Sequence, residues 1–499
     1  MTDRKLNIDV NGKEFNRGSV LFLILLSTFA GVLMQTSLGT ALPTLMTEFD
    51  IDISTAQQAT TWFLLANGIM VPLSAYLATR ISTRRLHLIA YALLLSGLIV
   101  TVMTPAEGDM WWMFIIGRVL AAVAVGIMMP LMQIVILSMF PKEKRAVAMG
   151  LSGLVIGMAP AIGPTLSGWI LDKPHTILGF SFSNSWRNLF TIPIGVLVVA
   201  LILTPFLMKD IIPTKQAKLD VLSLILSVFG FGFFLYGFTK VATKGWLDVG
   251  NVILPSTLGV LILIVFVLRQ LKLEEPFLDV SVFKIKEFTM ATVLLMLVTM
   301  AMFGVEMMLP TYLQNVNGHT PLESGMILLG GALILGVISP ISGVLYNKIG
   351  IKALALIGFT ILIIGSVPFV YLTPTTSQAF IVVMYTVRMA GVGLIMMPVT
   401  TFAMSVLSDD RTTHGTAANN TIRQISSSIV VALLTSVTQN VINKNMPSTA
   451  LQTSNPEAFM IQVRDASMSG FRVSFTIGLS FAVLGLIVTL FLKVPKDKG

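Results

Sequence analysis

Long apolar runs alternate with short polar breaks along almost the whole chain. Fourteen such runs stand out, near residues 19–43, 56–78, 86–105, 111–139, 145–171, 188–208, 219–239, 251–269, 287–309, 322–346, 352–372, 378–406, 415–439 and 470–492. Most hold about twenty residues, the length an α-helix needs to cross roughly 30 Å of hydrocarbon. Backbone in lipid must satisfy its own hydrogen bonds, so runs of this kind read as spanning helices. The pattern predicts an all-α polytopic membrane protein of fourteen spans.

Composition agrees. Apolar residues make up 55% of the 499 and charged residues only 11%, where soluble domains carry about 25% charge; so little charge cannot coat a water-exposed globule. Cysteine is absent, which excludes disulfides, zinc-thiolate sites and thiol nucleophiles. The histidines His87, His175, His319 and His414 fall in or beside polar breaks, and neither a metal nor another cofactor is expected. No GxxxxGK[ST] phosphate loop occurs, so the energy source is expected to be an ion gradient rather than a nucleotide. Residues 1–18 are polar and charged, and the first apolar run is long enough to span, so a cleavable signal peptide is not expected.

An even number of spans puts both termini on one side, and lysine and arginine decide which. Roughly 23 of them fall in the termini and the loops on the same side, against about 7 on the other. Arg80, Arg84, Arg85 and Lys142, Lys144, Arg145 belong to the first set, whereas the opposite loops read EFDID (48–52) and AEGD (106–109). Both termini are therefore expected in the cytoplasm. The net charge of +9 reflects membrane orientation, not nucleic-acid binding.

A faint repeat organises the spans. Span 4 carries GRVLAAVAVGIMMP (117–130) and span 12 carries VRMAGVGLIMMP (387–398); span 2 runs into LATRISTRR (77–85) and span 10 into VLYNKIGIK (344–352). Two related six-helix bundles, residues 1–212 and 287–499, with spans 7 and 8 inserted between them at 213–286, account for fourteen. Duplicated bundles around a central site are a common basis of alternating access.

Span 5 holds GLVIGMAPAIGPTLSGW (153–169), in which Gly157, Gly163 and Gly168 permit close helix approach while Pro160 and Pro164 remove backbone donors and bend the rod. Gly245-Trp246 follows span 7, EEPFLDVSVF (274–283) follows span 8, LPTYLQNVNG (309–318) follows span 9, and GTAANNTIRQ (415–424) opens span 13. Taken in order, these segments resemble the major facilitator superfamily, specifically its 14-span drug:proton antiporter branch of EmrB/QacA type, and the span-5 segment resembles that branch's antiporter motif. The resemblance implies a major facilitator fold in a bacterial cytoplasmic membrane. The loop after span 2 departs from the family: Thr79 stands for its usual acid and Ser82 for its usual glycine, and in the second half Asn347 holds the acid's position. The implied gate loop is thus Arg80, Arg84, Arg85 and Asn347, and its latch must rely on other hydrogen bonds.

Charges inside the spans are few: Arg118 in span 4, Glu306 in span 9, Arg388 in span 12 and Arg423 near the start of span 13. A charge at the bilayer centre costs about 3 kcal/mol even on insertion scales, so each needs a partner, a proton or a wet cavity. In the family, spans 1, 4, 9 and 12 line the cavity. From a rise of about 1.5 Å per residue, Arg118 lies roughly 10 Å and Arg388 some 15 Å below the outer surface, and Glu306 within about 5 Å of it. Burial favours the protonated acid and a nearby cation favours the carboxylate, so Glu306 fits a proton-coupling role with Arg118 as its electrostatic partner. The alternatives to that role are a structural partner for Arg118 or an acid wetted by the outer vestibule. Arg423 is expected to support packing or the gate. Candidate substrate contacts are Gln35, Trp62, Met129, Gln133, Phe303, Met307, Tyr385, Arg388 and Met397; adaptable methionines suit promiscuous surfaces, though they also serve as packing filler. Gln35 stands where the family often has an acid, which argues against dications.

The function implied is proton-coupled multidrug efflux of amphipathic monocationic, zwitterionic or neutral compounds, by a monomer whose partners are drug-like substrates, protons and the bilayer. The alternative is a dedicated exporter of one endogenous amphiphile, such as a lipid, peptide or metabolite. An enzyme is not expected, since no deep histidine, metal cluster or paired carboxylate occurs. Spans 7 and 8 carry no coupling charge and read as peripheral. The polar segment 440–469 reads as a hairpin, a lid or a linker.

Overall fold

A computed structural model describes residues 8–38, 41–51, 53–177, 180–214, 220–274, 276 and 278–492. In chain order the helices are α1 (Arg17–Thr36), α2 (Leu42–Phe49), α3 (Ile53–Arg80), α4 (Thr83–Met103), α5 (Trp111–Met139), α6 (Lys142–Gly153), α7 (Ala159–Asp172), α8 (Thr191–Leu207), α9 (Val221–Lys244) and α10 (Leu254–Gln270). They continue with α11 (Lys286–Glu306), α12 (Leu309–Asn315), α13 (Pro321–Val370), α14 (Gln378–Ser405), α15 (Thr412–Asn445), α16 (Thr449–Ser454) and α17 (Pro456–Leu490). The loop before α8 holds a small antiparallel hairpin, β1 (His175–Ile177) with β2 (Phe180–Phe182).

Among the described residues twelve helical segments are long and apolar enough to cross a membrane, and the pair Lys142–Met158 and Ile162–Asp172, bent by 43°, makes a thirteenth. The 50 residues of α13 would extend about 75 Å as one rod, more than twice the hydrocarbon thickness. They do not, because Gly350 turns the chain back at φ 75°, ψ 167°, a backbone state open to glycine and strained for other residues. With α13 counted as two spans the total is fourteen. Local chemistry sets the helix starts: Asn16, Asp220 and Ser377 accept from backbone N–H groups of the first turn, and Thr320 with Glu323 forms a reciprocal capping box ahead of Pro321. Outward side chains such as Ile202, Phe206, Leu261 and Leu268 are exposed and apolar, as lipid contact requires.

Three boundaries differ from the hydropathy reading. Span 1 breaks after Thr36 and resumes as α2, whose first turn holds Pro43. Span 9 breaks after Glu306 and resumes as α12, and the crossing segment runs on to Gln314. Segment 440–469 takes the hairpin form among the alternatives, with longer helices than hydropathy marked: α15 continues to Asn445 and α17 begins at Pro456, with α16 between them.

The two halves of the chain meet along span 5 and span 10. A Cβ on Gly150 would lie 2.7 Å from Pro340 Cα, and one on Gly157 would lie 2.6 Å from Leu335 Cγ. At the end bearing the basic loops the halves are also joined by polar bonds. Asn347 Nδ2 donates to Glu143 O at 2.8 Å, Arg145 pairs with Asp409 at 3.4 Å, and Asn420 Nδ2 donates to Gln133 Oε1 at 2.7 Å.

Candidate functional site

The breaks in spans 1 and 9 open onto a cavity of about 390 Å³, within the size range of small-molecule sites. Gln35 and Thr36 at the end of α1 line it, and so do Phe303, Glu306, Met307 and Pro310 around the break in span 9. Proline at the start of α12 lacks the N–H that a continuous helix would use, so the rod is interrupted where its acid stands. Glu306 ends α11 with eight crossing residues beyond it, about 12 Å of helix, so it lies deeper than the span boundary read from hydropathy implied. Its Oε2 is buried with no hydrogen-bond partner, and among the described residues it forms no ion pair. Its electrostatic neighbours are Arg388 and Tyr385. A carboxyl with a vacant oxygen on such a wall can hold a proton and be neutral, or ionise and face a cation; ionised, it is the one charge among the described lining residues.

Each half buries one arginine in the same way. Arg118, fully buried, donates from Nη2 to Met34 O at 2.8 Å and lies 4.3 Å from the Phe63 ring centroid. Arg388, also fully buried, donates from Nη2 to the carbonyls of Ala301 and, at 2.8 Å, Met302. Met34 and Ala301 each stand eight positions before the leucine of a Leu-Pro-Thr run, Leu42–Thr44 and Leu309–Thr311. The arginine of span 4 thus braces the broken span 1, and that of span 12 braces the broken span 9. Arg388, rather than the Arg118 expected from sequence, is the cation whose field reaches Glu306.

Residues 24–431 match the Major Facilitator Superfamily. The chain belongs to that superfamily. It is 40% identical to the uncharacterized MFS-type transporter YcnB of Bacillus subtilis, over 98% of both chains. It is 33% identical to the lincomycin resistance protein LmrB of Listeria innocua, over 97% of this chain and 98% of that one. To the multidrug export protein EmrB of Escherichia coli it is 26% identical, over 93% and 89%. Its fold resembles that of the proton:xylose symporter XylE, with a TM-score of 0.62 at 13% identity, over 96% of this chain and 97% of that one. The chain is therefore a multi-pass membrane transporter, not an enzyme.

For this major facilitator protein the cavity gathers some of the expected contacts and leaves others aside. Gln35, Phe303, Met307 and Tyr385 line it together with Glu306. Trp62 is 41% exposed and off the cavity: it stands about 200° around α3 from the lining Thr60. Met129 packs half-buried against the core, and Met397 is buried with its Sδ accepting from Ser152 at 3.2 Å. Gln133 is engaged with Asn420, and Arg388 lies behind the wall. Span 4 contributes none of the lining side chains, whereas spans 2, 7 and 13 do. The peripheral reading of span 7 is thereby corrected, since Leu235, Phe238 and Thr239 face the cavity.

Span 13 supplies a polar strip that sequence reasoning missed, Gln424, Ser427 and Ser428. Asn420, Gln424, Ser427 and Ser428 recur at helical spacing, but Thr421, Arg423 and Ser426 between them make the stretch polar on other faces too, so the strip does not stand out in sequence. In the antiporter motif, Gly163 fits against Leu33 O of span 1, Gly168 faces Leu322, Gly157 faces Leu335 and Pro164 lines the cavity; the side chain of Pro160 lies outside the described residues. The bend comes with a π-helical turn at Leu154–Met158. In the gate loop Arg80 stacks on Tyr76 at 5.2 Å, Arg85 is exposed, and the Arg84 N–H donates to Asp210 at 3.0 Å. Asp210 thus caps α4 from 126 residues away, a partner no local pattern reveals.

Proposed function

We propose that this transporter exports amphipathic monocationic, zwitterionic or neutral compounds in exchange for protons, as a monomer, with its basic loops in the cytoplasm. Residues 1–212 and 287–499 form the two bundles that rock around the cavity. The reading rests above all on Glu306, a carboxyl with an unpartnered oxygen on the wall of an apolar chamber. Protonated, it is neutral and the chamber suits a return step without cargo; ionised, it attracts a cationic or polarised ligand. Proton and cargo compete for one group, which is the minimum an antiporter requires. Each proton entering brings about 2.3 kcal/mol per 100 mV of membrane potential. Arg118 and Arg388 hold the broken spans in register, and the bend of span 5 supplies the joint on which the bundles move. The names of LmrB and EmrB support a drug-like cargo.

The test is transport in proteoliposomes under an imposed pH gradient, with monocationic dyes and lincomycin, wild type beside Glu306→Gln. Wild type is expected to accumulate the dyes against their gradient. The variant is expected to bind them and let them equilibrate without uphill movement. Undiminished pH-driven accumulation by Glu306→Gln would refute the coupling role.

A further inference from the structure

The inserted helix α9 touches both halves of the chain. A Cβ on Gly68 of α3 would lie 3.3 Å from Gln424 Cγ of α15 and closer still to Leu235 Cδ1. Further along α9, Val241 is buried with Val252 and Ala432, and Phe238 packs on that cluster. The helix therefore fills the cleft between spans 2 and 13. Phe231, Leu235, Phe238 and Thr239 fall on one face at helical spacing, and the last three line the cavity. Leu222, Ile225 and Phe229 lie on another face and are about half exposed. The helix thus carries a cavity face and an outward face, and α10 packs against a third, where Gly237 meets Ser256 and Gly259 meets Phe234.

Phe238 is held from two sides. Its ring lies 4.7 Å from that of Phe234 and 5.9 Å from that of Trp246, the latter edge-on at 85°. Trp246 reaches it because α9 stops at Gly245, whose φ of 80° turns the chain while its N–H still bonds Val241 O at 2.9 Å. The Gly245-Trp246 pair, unexplained by the coupling chemistry, thereby acts on the cavity wall. Thr239 donates its hydroxyl proton to Tyr236 O at 2.8 Å, which leaves its oxygen as an acceptor on the same wall.

We propose that α9 is the selectivity wall of the substrate cavity: Phe238 limits the bulk of the aromatic cation admitted, and Trp246 is its positioning residue. The inference rests on the cavity's being the transport site, and its test separates the two. The chain has no cysteine, so Thr239→Cys and Phe229→Cys report directly on what each face meets. A water-soluble maleimide is expected to label Thr239→Cys about ten-fold faster than Phe229→Cys, and tetraphenylphosphonium is expected to slow the first reaction alone. Apparent affinities for tetraphenylphosphonium and the smaller benzyltrimethylammonium are then compared. Phe238→Ala is expected to shift their ratio about ten-fold toward the bulkier cation, in line with pocket discrimination of this kind. Trp246→Ala shifts it in the same direction by less, and Trp246→Phe restores it. An unchanged ratio in Phe238→Ala, or equal labelling at the two cysteines, overturns the proposal. If wild type moves neither cation, the transport reading fails, and the labelling rates with their protection by tetraphenylphosphonium decide this inference alone.

Discussion

Replacing Gln133 by leucine should loosen the end of the molecule that carries the basic loops. Gln133 Oε1 accepts from Asn420 Nδ2 at 2.7 Å, and both residues are buried, at 2% and 5% exposure. Asn420 also donates to Thr416 O at 2.9 Å and accepts from Arg423 Nη2 at 2.9 Å, so the substitution strands one amide proton and leaves the rest of the network in place. A buried donor left unpaired in a soluble protein costs about 1–3 kcal/mol. Between membrane helices the measured coupling is smaller, about 0.6 kcal/mol on average and about 1.7 at most, because released groups find other partners. The membrane range applies here, and it raises the population open at this end about 3- to 18-fold. The nearby Arg145–Asp409 pair is a weaker tie: its length is 3.4 Å, the Asp409 side chain is 71% exposed, and pairs of that kind contribute less than about 1 kcal/mol. The assay is pulsed electron resonance in nanodiscs, with spin labels on cysteines introduced at the exposed positions Lys142 and Lys348. Gln133→Leu and Asn420→Leu should each enlarge the long-distance population, and the double variant should add little to either. An unchanged distribution in both, or an equal opening by Arg145→Ala, would refute the assignment of the tie to the buried hydrogen bond.

Other consequences are equally direct. Arg388→Met should lower the unfolding midpoint in detergent, by about 1–3 kcal/mol in stability, because the carbonyls of Ala301 and Met302 lose a charge-assisted donor while relief of guanidinium desolvation offsets part of the loss; Arg388→Lys should restore little of it, since an ammonium lacks the planar fork. The Arg269 guanidinium bonded to Asp220 holds that carboxyl down at about 2. Its folded value lies below the ordinary one of about 3.9, so the stabilisation is fully present above pH 4 and lost as pH falls through 2; the difference in unfolding midpoint between wild type and Asp220→Asn should be constant from pH 5 to 7 and close as pH drops through that window. Gln35→Asp adds a second acid to the cavity wall. At about 8 Å from a cation and an effective dielectric near 20 it contributes about 2 kcal/mol, so a divalent dye should bind roughly 10- to 30-fold more tightly, and unchanged preference in a competition assay would count against Gln35 as a substrate contact.

Much of the architecture is legible in the sequence. Span lengths follow from the thickness of hydrocarbon, and the turn at Gly350 fell where polar NKIGIK divides two apolar runs. The buried charges were equally plain, since Arg118, Glu306 and Arg388 stand out against residues without charge. The interruptions of spans 1 and 9 were written in the repeated Leu-Pro-Thr run, but hydropathy averages over a window and passes across a break of two residues such as Met307–Met308.

What the sequence determined by itself is therefore what a membrane imposes on any chain: the number of crossings, the sidedness expected of the loops, the family, and the few positions where a charge must find a partner. Only the tertiary structure decided which way those positions look. It turned Trp62 away from the chamber and Thr60 toward it, gave Glu306 the neighbour Arg388 rather than Arg118, and set the inserted helix α9 into the cavity wall. Lipid and protein interior are about equally apolar, so a membrane helix carries little amphipathic record of its inner face. The partners that settle the question, such as Gln133 and Asn420, lie 287 residues apart.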